Sequence, residues 1–225
     1  MSDFLARQAR PVPPPESELE DWDEAKTKFK PKLYLRASTW KPFVLYDIKP
    51  GESLKFGPWT YDHSVFPKGG SLETFQGRKK GRVFFNDSVI IPRVMHGEEW
   101  NKQIWMSYTP MEVLSQRAGL KMAKGKVLIG GLGMGWLANR VAAKKQVTEV
   151  VVVDLDDDVL QLASPCCMSK KITLVHGDVW KEVDKYGDDW TFLFDVWPNY
   201  GFNKDEPEMR RFRKSHPNAK YWAWG

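Results

Sequence analysis

The stretch KVLIGGLGMGW at 126–136 runs from aliphatic residues into closely spaced glycines and then into a helix-like pattern. Gly131, Gly133 and Gly135 accept dihedral angles barred to other residues and let a backbone come close to a ligand. Asp154 closes the next aliphatic run, EVVVVD, 21 residues after Gly133. A carboxylate at the end of a second strand, beside a glycine loop, can accept both hydroxyls of a ribose. Together the loop and Asp154 predict a nucleoside site. Two further acids follow aliphatic runs in the same way, Asp178 after ITLVHG and Asp195 at the end of TFLFD. Each feature also has an architectural reading: a tight strand-to-helix turn for the glycines, and a helix N-cap for Asp178 and for Asp154 or Asp156.

The spacing narrows the nucleoside. A dinucleotide fingerprint G-x-G-x-x-G begun at Gly131 needs a small third residue where this chain has Trp136. An indole there obstructs close packing of helix on strand, which disfavours NAD. The pattern G-x-G-x-G, an acid ending strand two and another after strand three instead resembles the class I S-adenosylmethionine-dependent methyltransferases. The resemblance implies S-adenosyl-L-methionine as cofactor. It places Gly131, Gly133 and Gly135 against the methionine part, Asp154 on the ribose and Asp178 on the adenine amine, with Leu155, Val179 and Asp195 in the same cofactor-binding set. Within that superfamily VVVDLDDDVLQLA is similar to the V-V-E-L-D-x-x-V-I-x-L segment of the spermidine synthase branch. Glu112, in WMSYTPMEVLSQ, falls near that branch's acidic position and reads either as closing the cofactor pocket or as part of a helix cap.

Departures from the branch direct the reading of function. Aminopropyl transfer to a polyamine draws on a D-x-x-D segment after strand four, where this chain has Asp195, Val196, Trp197 and Pro198. The (D/N)-P-P-(Y/F/W) tetrad of amino-group methyltransferases is missing as well. The expectation is a methyltransferase of unidentified acceptor, in which Asp195 is the catalytic residue that removes a proton and Trp197 and Tyr200 bind the acceptor. In the competing reading Asp195 only orients the cofactor amine and Trp197 is core. An aminopropyltransferase, and a scaffold that keeps the nucleotide fold without turnover, stay open as alternatives.

Such a site needs a layered fold to position it. From 125 onward strand and helix patterns alternate: KVLIG, WLANRVAAKK, EVVVVD, DDVLQLA, ITLVH, VWKEVDKY, TFLFDV, PEMRRFRKS and AKYWAW. This predicts an α/β domain over 106–225, a Rossmann-like doubly wound, mostly parallel sheet truncated after strand five. Short aromatic and β-branched runs, LYLRA, FVLYDI, SLKFG, SVF, RVFFND and VIIPRV, predict a small β-rich N-terminal domain over 29–105. MEVLSQRAGLKMA predicts one helix ending near Gly125. Residues 1–28, with their proline run and ESELEDWDE, predict an extended acidic arm, or one folded back on the basic body. A last strand carrying Tyr221, Trp222 and Trp224 needs cover, from a second subunit in a homodimer or from the N-terminal domain.

Composition sets outer bounds. With 225 residues, 42% apolar and 28% charged, the chain has enough material for a sizeable core and no stretch long enough to span a membrane. The first residues lack a secretory apolar region, which predicts a cytoplasmic protein. Cys166 and Cys167 are adjacent and read as reduced thiols, and the four histidines show no zinc spacing. Of the net charge of +5, residues 1–25 contribute seven acids and two bases, leaving +10 on the rest. GRKKGR at 77–82 and Arg210, Arg211, Arg213 and Lys214 read as solvated faces or, for a nucleic-acid acceptor, as a phosphate track.

Overall fold

A computed structural model describes residues 14–25, 28–76, 79–197 and 206–224. Tyr200, residues 1–13 of the acidic arm and the hairpin-tip residues Gly77 and Arg78 lie outside the described residues. The N-terminal part comprises α1 (Trp22–Ala25) and the strands β1 (Lys32–Leu35), β2 (Ser53–Phe56), β3 (Trp59–Phe66), β4 (Ser71–Gln76), β5 (Lys79–Phe85), β6 (Val89–His96) and β7 (Gln103–Ser107). They form a three-stranded sheet in the order β1-β5-β4 and an antiparallel sheet in the order β2-β3-β6-β7. Asp62 and Arg93 face each other across β3 and β6 and make a two-pronged ion pair at 2.6 and 2.9 Å.

One expectation fails in this part, and for the acidic arm the folded-back alternative holds over its described residues. FVLYDI forms no strand: Pro42 and Pro50 bracket it, and neither has an N–H for a ladder. Phe43, Leu45, Tyr46 and Ile48 still pack on the core, and Leu45 N donates to Tyr61 Oη at 3.0 Å. Residues 14–25 are not an extended arm. They fold back on the body, because Leu19, Trp22 and Ala25 recur on one face and all three are buried, with Trp22 edge-on to Trp40 at 4.7 Å. Glu16 pairs with Arg36 and Glu20 with Lys30, so charge attraction to the basic segment adds to the burial.

The remainder alternates helix and strand: α2 (Pro110–Ser115), α3 (Arg117–Met122), β8 (Gly125–Gly130), α4 (Trp136–Ala142), β9 (Val147–Asp154), α5 (Asp157–Ala163), β10 (Ile172–His176), α6 (Val179–Glu182), β11 (Thr191–Phe194), α7 (Pro207–Ser215) and β12 (Lys220–Ala223). The expected single helix before Gly125 is two, broken at Gln116, whose ψ of −6° flattens the turn. The strands make a five-stranded parallel sheet in the order β10-β9-β8-β11-β12, a Rossmann-like α/β layer with helices on its faces. The period of two sends Val127, Ile129, Val150 and Val152 to one face and Leu128, Val151 and Val153 to the other. The first face shares its hydrophobic cluster with Trp22, Leu33 and Phe85 of the N-terminal part, and the second is covered by Met209 and Phe212 of α7.

The aromatic residues of β12, and Trp224 just after it, are half-buried by contacts within the chain. Trp222 lies on Gly119 of α3, where an added Cβ would stand 2.6 Å from the indole. Trp224 Nε1 donates to Ser115 Oγ at 2.9 Å, and Tyr221 meets Phe212 edge-on at 5.6 Å. Among the described residues no helix is long and apolar enough to cross a membrane. Both cysteines are free and half-buried, and burial pushes the Cys167 thiol up to about 11.

Candidate cofactor cleft

In the order β10-β9-β8-β11-β12 the direction of winding reverses between β8 and β11, and a crevice opens at the carboxyl ends of strands at such a point. Here it is a cleft of about 700 Å³, roofed by residues of β3, β6 and β7. The strand ends are zipped together beneath it. Gly131 N donates to Val153 O, Asp195 N to Gly130 O and Gly177 N to Asp154 O, at 2.8, 2.8 and 2.9 Å. This lattice brings Gly131, Gly133, Asp154, Leu155, Asp178, Val179, Asp195 and Trp197 to one cleft wall. Gly135 does not line the cleft. Its φ of 75° starts α4, which is the architectural reading of that glycine.

Asp154 carries two jobs. Its Oδ2 accepts from Leu132 N at 2.7 Å and its Oδ1 from Asp156 N at 3.0 Å, so it pins the glycine loop to the start of α5. Each carboxylate oxygen retains a lone pair for a hydroxyl. Burial raises its pKa, and the two backbone N–H groups pull it partly back. Asp178 caps α6 through Trp180 N at 3.0 Å while lining the cleft, and Asp156 caps α5 through Asp158 N at 2.9 Å. The capping reading therefore holds for Asp178, whose side chain also lines the cleft. Leu155 is 74% exposed at the cleft, an apolar surface open to a ligand face. Trp197 packs against Trp180 at 5.9 Å and also lines the cleft.

The glycines are bare for the protein's own packing. A Cβ on Gly131 would lie 2.2 Å from the Asp195 carbonyl oxygen, and one on Gly133 would lie 2.2 Å from Met106 Cε. The Met106 thioether, from β7, accepts from Met134 N at 3.0 Å, so a ligand seated on the loop must share it with a flexible methionine.

Opposite the loop, Glu112 and Asp195 meet on Gln116. Gln116 Nε2 donates to Asp195 Oδ2 at 2.7 Å and also to Glu112 Oε1. Thr109 caps α2 by accepting from Glu112 N at 3.3 Å, but the Glu112 carboxylate turns to Gln116 instead of closing a capping box. Burial, and then the Asp195 charge, push Glu112 up to about 8, with the Gln116 amide opposing. Burial pushes Asp195 up to about 7.

Sequence reasoning missed Gln116, Met106 and the aromatic roof. Trp59 and His96 are cross-strand partners on β3 and β6, with ring centroids 4.5 Å apart, and Trp105 stands edge-on to Trp59 at 5.6 Å. Trp59 Nε1 donates to Asp156 Oδ2 at 2.8 Å, which ties the antiparallel sheet to the cap of α5. Trp59→Phe deletes the donor and trims the buried indole to a single ring, and is expected to lower stability by about 2 kcal/mol or more. An unchanged urea midpoint would show that this bond does not hold the two sheets together.

The cleft lining includes five carboxylates, Glu112, Asp154, Asp156, Asp178 and Asp195, and no lysine or arginine among the described residues. The parallel order, the glycine loop after β8, the acid ending β9 and the acid following β10 define a Rossmann-like α/β fold with acids at the carboxyl ends of its strands. No protein-family model matches the chain, and no curated protein matches it. Solved structures are similar over part of it. Thermotoga maritima spermidine synthase aligns with 69% of this chain and 57% of its own at 13% identity and a TM-score of 0.42. An S-adenosylmethionine-dependent methyltransferase from Mesorhizobium loti aligns over 47% and 48% at 20% identity and 0.34. The 23S rRNA methyltransferase ErmE aligns over 47% and 41% at 16% identity and 0.35. This chain thus spans between about two fifths and three fifths of the length of these proteins.

Proposed function

We propose that the chain binds S-adenosyl-L-methionine in this cleft and transfers its methyl group to an acceptor. The observation that carries the reading is the convergence of Gly131, Gly133, Asp154, Asp178 and Asp195 at the reversal point of the sheet, in a cleft whose charged lining is acidic. The donor set fits the ligand chemically: hydroxyl and amine hydrogens need acceptors, and a sulfonium needs negative charge nearby. Asp154 would take the ribose hydroxyls and Asp178 the adenine amine, with Leu155 and Val179 giving apolar contact. The cofactor supplies an electrophilic methyl carbon, so the protein's work is to position the acceptor and accept its proton. Asp195 suits that second task, because burial raises its carboxyl from the ordinary range toward neutrality and so makes it a better proton acceptor once ionised. Trp197 and Tyr200 are the acceptor-binding residues in this reading. The acidic lining also separates the cleft from the basic segments, which supply none of its described residues.

Calorimetry with S-adenosylmethionine tests the reading. Asp154→Ala is expected to weaken binding by about 1.5–3 kcal/mol, roughly ten- to hundredfold. Equal affinity of the variant and wild type would remove Asp154 from the ribose. Decarboxylated cofactor with putrescine distinguishes the aminopropyl alternative, for which a product must form.

A further inference from the structure

Glu112 and Asp195 reach the cleft from different elements, α2 and the end of β11, and share one amide. Gln116 has two N–H groups, and these two contacts use them. Its Oε1 is buried without a partner among the described residues. Two ionised carboxylates here would each hold one N–H from the same amide, with no described cation in the cleft lining. The other titratable groups facing the cleft are Asp154 and Asp156 beside β9, Asp178 at α6 and His96 on β6. Arg117, next in chain to Gln116, lines a separate groove with Arg140 and Lys144. Three more acids in the same cleft lining add to the cost of a second full negative charge on the pair.

We infer that Glu112, Gln116 and Asp195 act as one proton-holding unit that reads the charge of the adenosyl ligand, keeping a proton beside a neutral thioether and releasing it beside a sulfonium cation. The inference rests on the function proposed above for the identity of that cation. It makes the three residues specificity determinants: S-adenosylmethionine and S-adenosylhomocysteine differ by one methyl and one positive charge, and the unit responds to the charge. A pair emptied of its proton by the incoming cation is also ready to take the proton that a methylated acceptor gives up, so the ionisation gained on binding serves the transfer.

The test needs no acceptor. Wild type and Glu112→Gln are titrated calorimetrically with S-adenosylmethionine and with S-adenosylhomocysteine at pH 7, in buffers of different ionisation enthalpy. Wild type is expected to release a large fraction of a proton with the sulfonium and little with the thioether. Its affinity for the sulfonium should rise up to about tenfold per pH unit between pH 6 and 7. Glu112→Gln should release markedly less, keeping only the share that burial alone raises on Asp195, and because the ligand's own amino group titrates alike in both proteins, the difference isolates the pair. Sulfonium binding without proton exchange, or equal release by the variant, overturns the inference alone. Failure of wild type to bind either ligand overturns it together with the proposed function. The comparison of the two ligands on wild type stands whether or not the variant folds.

Discussion

Gly131→Ala is expected to lose about 3 kcal/mol or more of folding stability, at a position open on one side to the cleft. Two effects add. The φ of 87° is a conformation that side chains with a Cβ adopt at a cost of about 1–2 kcal/mol. The new Cβ would also stand 2.2 Å from the carbonyl oxygen of Asp195. That oxygen is backbone, and its residue is fixed by the Asp195 N to Gly130 O bond at 2.8 Å, so relief requires moving the end of β11. Gly125→Ala is the internal control: its φ is 67°, but nothing lies within 4 Å of an added Cβ, so only the conformational cost of about 1 kcal/mol applies. Gly133→Ala should fall between them, because the atom it meets is the free end of Met106. Urea unfolding of the three variants measures the order, and Gly131→Ala matching Gly125→Ala would show that the approach of Asp195 is not the constraint.

That order also explains how much of the site was legible beforehand. Gly131, Asp154, Asp178 and Asp195 each sit where an apolar run ends, and a strand end in a parallel sheet is both a local pattern and a fixed place in space. The same locality explains the caps: Asp156 and Asp178 precede α5 and α6, so a sequence window holds both the acid and the N–H it receives. The cleft roof had no such window. Trp59 lies far along the chain from Asp156, and only the β3–β6 pairing and the packing of two sheets bring its indole there. Gln116 read as one more polar residue on a long helix. Its role depends on the break after Ser115, which turns the amide toward Asp195, 79 residues away. The acidic arm left two readings open for the opposite reason, since its charge dominates the composition while Leu19, Trp22 and Ala25 decide that residues 14–25 fold back.

The stability of the protein is expected to fall as pH rises from the ordinary carboxylate range to about 8, and Glu112→Gln should flatten that dependence. Glu112 and Asp195 are both raised, from ordinary values of 4.5 and 3.8 to about 8 and about 7. The folded chain therefore holds protons that the unfolded chain has given up throughout that window. Linkage then makes the slope negative: stability is greatest below the unfolded values and is lost as pH climbs through the folded ones, at about 1.4 kcal/mol per pH unit for each proton held. One shared proton held from pH 5 to 8 corresponds to a loss of about 3–4 kcal/mol. Glu112→Gln is close to a protonated glutamate in shape, so at pH 5 it should change stability by less than about 1 kcal/mol. At pH 8 it removes the charge that opposes Asp195 and should stabilise by about 2 kcal/mol or more. Urea midpoints of both proteins at unit steps from pH 5 to 8 decide it, and parallel curves would mean that the pair is ionised in the folded protein across the whole range. The same measurement bears on the ligand: a fold that is destabilised when this pair ionises is stabilised by whatever cation sits beside it, and the gain from binding should be largest at the alkaline end.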